Sequence, residues 1–124
     1  MDTIYSKSLI KSFGYALEGL WHALKCNRNL RIDFLIAVTV ILLSLYFHVS
    51  PFEMGILGVM ILLVISSEMI NTSIEEMVNL ITQEHKKEAK IAKDVAAGMV
   101  LVAAGGSVIV GVLIFAPYIL RLLY

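Results

Sequence analysis

From Leu30 to Tyr118 the chain is a series of long apolar runs separated by short polar breaks, and the spacing of the breaks predicts helices throughout. The first run covers about 30–49, with charge only at Arg31 and Asp33 near its start and His48 near its end. Roughly 20 such residues is what a bilayer crossing needs. Ser50-Pro51 ends it, because proline disfavours helix in the residue before it and suits the first turn of the helix after it. A second helix is predicted over 52–81 and a third apolar crossing over about 95–118, with Pro117 near its end. In the third, Ala103, Ser107 and Gly111 recur at i+4 and form a small-residue seam suited to close helix approach. Ahead of the first crossing, residues 4–26 divide into two faces. Leu9, Phe13, Ala16, Leu17, Leu20 and Leu24 gather on one, and Lys7, Lys11, Glu18, His22 and Lys25 on the other. That division predicts an amphipathic helix lying at the membrane interface. Cys26–Asn29 reads as a turn between helices. The predicted fold is all-α and membrane-integral: one interfacial helix plus three transmembrane helices, a single domain over 1–124.

The second long helix breaks its own pattern. It is apolar from Met54 to Ile65 and then carries Glu68, Asn71, Thr72, Glu75 and Asn79, which fall within about 100° of one another at helical spacing. Ile70, Ile74, Met77 and Leu80 point elsewhere. The two carboxylates of this stripe stand about 10 Å apart along the axis. Glu68 falls at membrane depth, where a carboxylate is expensive and marks function by default.

Composition agrees with a membrane protein. Hydrophobic residues make up 59% of the 124 and charged residues 16%, against about 25% charged in soluble domains. Net charge is zero, so no global field favours nucleic acid, and none is expected as a partner. Cys26 is the only cysteine, which excludes an internal disulfide and a cysteine-based metal cage. Residues 1–29 have no apolar stretch of signal-peptide type. The basic residues are lopsided: Lys7, Lys11, Lys25, Arg28 and Arg31 precede the first crossing, and Lys86, Lys87, Lys90 and Lys93 lie between the second and third. The turn at 48–53 has no Lys or Arg, and Arg121 alone follows the third crossing. The positive-inside bias therefore puts the N-terminus and the polar 82–94 loop in the cytoplasm, at the end of the membrane where ATP is available.

Carboxylates on a cytoplasm-facing stripe, close to a Lys93-Asp94 pair, suit phosphoryl transfer. Mg²⁺ takes hard oxygen ligands and is commonly held by one or two carboxylates plus substrate phosphates. A second carboxylate can accept the proton of an attacking hydroxyl, and a lysine can offset phosphate charge, with Asp94 holding that lysine or joining the polar network. No glycine-rich phosphate loop is present. Spacing alone leaves three classes open: a lipid-directed enzyme, a transport subunit in which Glu68 handles a cation or proton, and an assembly subunit whose asparagines bond neighbouring helices.

Glu68-x-x-Asn71-Thr72-x-x-Glu75 followed by Ala92-Lys93-Asp94-Val95-Ala96-Ala97-Gly98 resembles the paired signature of the prokaryotic diacylglycerol kinase family. The similarity extends to Lys11-Ser12-Phe13, Gly19, Arg28-Asn29 and Ile114-Phe115-x-Pro117, and the Lys93-to-Gly98 stretch and the Ile114–Pro117 ending resemble the undecaprenol kinase branch more than the diacylglycerol branch. The resemblance implies a homotrimeric inner-membrane enzyme that moves the ATP γ-phosphate to a lipid alcohol, undecaprenol or diacylglycerol, at sites shared between neighbouring subunits. It implies Glu68 as catalytic base with Asn71 beside it and Glu75 as a Mg²⁺ ligand. Tyr15, Glu84, His85, Lys86, Lys93 and Asp94 then contact nucleotide. One position departs from the pattern. Where the family usually has Glu-Arg-Asn at the helix junction, this chain has Asn27-Arg28-Asn29, so Asn27 replaces the other metal-ligating glutamate with an uncharged amide oxygen.

Overall fold

In a computed structural model describing residues 8–124, the chain forms four helices and, among those residues, no strand. They are α1 (Leu9–Cys26), α2 (Arg28–Tyr46), α3 (Pro51–Ile81) and α4 (Lys87–Leu123). Positions 4–7 of the expected first helix lie outside the described residues. Helices α2, α3 and α4 are each long and apolar enough to cross a membrane. α3 and α4 pack most extensively, α2 lies against α3, and α1 touches α2 and α3 only lightly.

Local chemistry sets the boundaries. Between α1 and α2 a single residue, Asn27, is extended (φ −106°, ψ 106°) and serves as N-cap of α2, its side chain accepting from the Leu30 N–H. α2 ends in a left-handed cap. His48 has φ 53°, the Val49 N–H reaches back to the Ser44 carbonyl at 3.0 Å, and the His48 N–H points to Leu45 O at 3.3 Å. α3 begins as predicted: the Ser50 side chain accepts from the Glu53 N–H at 3.2 Å, and Pro51 occupies the first turn.

α4 differs from expectation. The polar stretch predicted as a loop over 82–94 is irregular only over 82–86, and helix begins at Lys87. Lys87-Glu88-Ala89-Lys90 are strong helix formers with no Gly or Pro among them, and Lys90 pairs with Asp94 at i+4. The helix also runs past its internal Pro117 to Leu123. The small-residue seam does not make a tight contact within the chain: a Cβ built on Gly111 would meet nothing within 4 Å. Ser107 and Gly111 instead line an apolar groove of about 670 Å³ between α2, α3 and α4, with Asp33 as its one charged lining residue.

The largest buried cluster sits at the α2–α3 turn, where Val49, Leu57 and Ile114 are covered by Phe47, Phe115 and Tyr118. The Tyr118 hydroxyl donates to Glu53 Oε2 at 2.8 Å and accepts from the Ser50 N–H at 3.4 Å, fastening α4 to that turn. The polar stripe of α3 lies toward the other end of the bundle.

Candidate active site

The stripe predicted on α3 is present, and its five polar residues find three sets of partners. Glu68 is buried, with 3% of its surface exposed. Asn27 donates from Nδ2 to Glu68 Oε2 and to Thr72 Oγ1, both at 2.9 Å. Thr72 in turn donates to the Glu68 carbonyl at 3.0 Å. One turn on, Asn71 Nδ2 donates to Glu75 Oε1 at 3.3 Å, while Asn71 Oδ1 is buried without a hydrogen-bond partner among the described residues. Nearer the helix end, Asn79 Oδ1 accepts from Lys93 Nζ of α4 at 2.8 Å. So one face of α3 leads from a buried carboxylate at the α1–α2 junction to a lysine on α4, about 16 Å along the axis.

Beyond Asn79 the stripe opens into a polar cleft of about 830 Å³, lined by Glu84, His85, Lys86, Lys90, Lys93 and Asp94 along with Asn79 and Thr82. The expected nucleotide residues of α4 and its preceding loop therefore share one wall. Lys93 and Asp94 do not pair with each other, because adjacent helical residues face different ways; Asp94 is held by Lys90. Tyr15, on α1 and 37% exposed, does not line this cleft.

Asn27 and Glu75 take different hydrogen-bond partners. The Asn27 oxygen accepts from the Leu30 N–H at 3.1 Å, and its NH₂ group goes to Glu68 and Thr72, whereas Glu75 bonds Asn71. No group of three His, Cys, Asp or Glu side chains able to hold a metal occurs among the described residues. That donor set does not suit an all-protein cage. It does suit a Mg²⁺ held by one carboxylate together with substrate phosphates, and the unpartnered Asn71 oxygen beside Glu75 is a second hard donor.

Sequence reasoning missed three features here. Arg31 donates from Nη1 to the Leu24 and Lys25 carbonyls, each at 2.8 Å, closing the C-terminus of α1. A basic residue just past a helix end was the available signal. Glu76, about 80° off the stripe and exposed, stands 3.8 Å from His22 Nε2 of α1. Asp33 Oδ2 is buried and unpartnered among the described residues, near enough to Glu68 for their charges to interact.

Residues 14–115 match the sequence model of the prokaryotic diacylglycerol kinase family. The chain belongs to that family. Among the relatives of this kinase family, the undecaprenol kinase of Bacillus subtilis (strain 168) is 40% identical over 107 residues, covering 86% of this chain and 87% of that one. The diacylglycerol kinase of Synechocystis sp. (strain ATCC 27184 / PCC 6803 / Kazusa) is 38% identical over 117 residues, covering 94% of this chain and 67% of that one. The family match takes in the junction at Asn27, the whole polar stripe and the Lys93-Asp94 end of the cleft.

Proposed function

We propose that this protein is an ATP- and Mg²⁺-dependent lipid kinase of the bacterial inner membrane that phosphorylates a membrane alcohol, undecaprenol ahead of diacylglycerol. The observation that carries it is the continuity of the α3 stripe from the buried Glu68 to Lys93 at the polar cleft. A phosphoryl transfer between a lipid and a soluble nucleotide needs one end of its site among apolar helices and the other in water. Family membership supports the reaction class, and the Bacillus relative, similar over nearly its whole length, supports the polyprenol.

In this scheme the chain acts as one domain. The N-terminus, the 82–86 loop and the first turns of α4 face the cytoplasm, α1 lies at the interface, and three copies assemble. An alcohol whose chain lies in the apolar groove presents its hydroxyl near Asp33 and Glu68. Glu68 takes the hydroxyl proton as the oxygen attacks the γ-phosphorus, the bond from that phosphorus to the β–γ bridging oxygen breaks and ADP leaves, and Asn71 stays beside the transferring group. Glu75, with the Asn71 oxygen, would hold Mg²⁺, which supplies charge neutralisation to the phosphates. Lys93, with Glu84, His85, Lys86, Asp94 and Tyr15, binds the nucleotide, and Lys93 keeps two further N–H donors for phosphate beside its bond to Asn79. There is little covalent chemistry for the protein to perform, so positioning and charge account for the rate.

The test is phosphate transfer from labelled ATP by the detergent-solubilised protein, with undecaprenol and diacylglycerol offered separately. Transfer to at least one lipid is expected. No labelled lipid from either alcohol at saturating Mg²⁺ would overturn the proposal.

A further inference from the structure

At Asn27, where this chain departs from its family's pattern, one carboxamide makes three hydrogen bonds at once. Its oxygen caps α2 on the Leu30 N–H at 3.1 Å, and its nitrogen donates to Glu68 Oε2 and Thr72 Oγ1, both at 2.9 Å. The cap fixes the way the amide faces. Turned over, it would set its NH₂ against the Leu30 N–H, donor to donor, and its oxygen against the Glu68 carboxylate, acceptor to acceptor. The bonds to Leu30 and Glu68 therefore enforce one orientation, and the Thr72 hydroxyl accommodates it. A carboxylate in this place could cap the helix but would have nothing to donate.

The consequence falls on Glu68. Its Oε2 is held by Asn27, and the turn that carries it is closed by Thr72, which accepts from Asn27 and donates to the Glu68 carbonyl. No lysine, arginine or histidine among the described residues forms a salt bridge with Glu68. The asparagine is the side chain that orients the carboxylate, and its own oxygen is spent on the helix cap rather than turned toward Glu75.

We infer that Asn27 is a positioning residue for the carboxylate of Glu68 and not a ligand of the metal. Its helix-cap-locked NH₂ group fixes Oε2 and leaves Oε1 as the atom that receives the hydroxyl proton. This rests on the kinase proposal and on Glu68 as its base. The metal is then held from the chain by the Asn71–Glu75 turn alone.

Three variants of the full chain test it. Asn27→Gly keeps an accepted N-cap residue and removes the donor, whereas Asn27→Ser keeps the cap but has one hydroxyl hydrogen on a shorter side chain, which cannot bond Glu68 and Thr72 together. Asn27→Asp keeps the cap, replaces the donor with a charged oxygen facing Glu68, and offers a better metal ligand than the amide. The measurements are kcat and KM for ATP, the Mg²⁺ concentration for half activity, and the melting temperature in detergent as Mg²⁺ is titrated without ATP or lipid. Loss of a hydrogen bond to a charged group is expected to lower kcat about 10- to 100-fold in Asn27→Gly, with KM for ATP unchanged. Asn27→Ser should fall between Asn27→Gly and the parent, and Asn27→Asp, which keeps the cap, covers the case in which Asn27→Gly fails to fold. Asn27→Asp should lose at least as much turnover, and its Mg²⁺ midpoint, by activity and by melting, should stay where it is in the parent protein. An Asn27→Asp protein with full turnover and a lower Mg²⁺ midpoint would overturn the inference in favour of a metal ligand. Parent-like kcat in Asn27→Gly would overturn it outright. An inactive parent protein would instead sink the kinase proposal, and this inference with it.

Discussion

Glu68 is an anionic side chain buried near the end of an apolar run, and it is tolerable there because the Asn27 amide donates to it. Replacing it with glutamine keeps an oxygen to accept from Asn27 while removing the base. Glu68→Gln is therefore expected to fold normally by circular dichroism and to lose about 10²- to 10⁴-fold in turnover; full turnover would strip Glu68 of the role. His48 carries a different cost. It occupies the left-handed position of the α2 cap at φ 53°, a conformation that costs a side chain with a Cβ about 1 kcal/mol and glycine nothing. His48→Gly should raise the unfolding free energy in detergent by about that amount, with no change in activity, since the residue lies at the end of the bundle away from the stripe. At this scale the sequence was informative wherever chemistry and periodicity coincided. The helical spacing of Glu68, Asn71, Thr72, Glu75 and Asn79 placed them on one face, and Ser50-Pro51 announced the start of α3. What Asn27 touches was not readable, because its partners lie more than 40 residues away on another helix. Its preference for N-caps was readable, and it would have turned the amide oxygen toward Leu30.

Among the helices, the joints are polar while the faces are apolar. α1 is tied down by Arg31, whose guanidinium closes the Leu24 and Lys25 carbonyls, and by His22 standing near Glu76. Few other contacts hold it. Arg31→Met should loosen α1 selectively: amide hydrogen exchange over 9–26 is expected to speed up about tenfold or more, with α3 and α4 unchanged. Equal acceleration in all four helices would show that Arg31 supports the whole bundle instead. At the opposite end, α4 is fastened to the α2–α3 turn by the Tyr118–Glu53 bond, and Tyr118→Phe should cost about 1–2 kcal/mol in detergent unfolding. Neither joint follows from the sequence uniquely. Arg31 and Tyr118 sit at the ends of apolar runs, where interfacial anchoring explains a basic or aromatic residue equally well. The early start of α4 was missed for a related reason. The polarity of 82–94 marks exposure to water, which suits a loop and a solvated helix alike, and Lys, Glu and Ala favour helix whether wet or dry.

For the molecule as a whole, one chain is an incomplete object. Only eight hydrophobic residues are buried among those described, while large apolar side chains such as Leu35, Leu101, Val102 and Leu113 stand exposed along α2 and α4. Lipid can cover such surfaces, and so can further copies of the chain. The site itself favours copies. Within one chain Glu68 and Glu75 are contacted by Asn27 and Asn71, whereas Lys93 sits farther along α3 with Asn79, so among the described residues neither carboxylate pairs with a lysine of its own chain. If each working site takes Glu68 from one copy and Lys93 from the next around a threefold ring, two dead variants can restore each other. Co-expressed Glu68→Gln and Lys93→Met chains, each inactive alone, would assemble at random. Every mixed trimer would then hold one site with both native residues, giving about a quarter of the parent activity. Sites built within single chains give no recovery at any mixing ratio. Native mass spectrometry of the same preparation supplies the control, because the activity should follow the abundance of mixed trimers and vanish where only uniform ones are present.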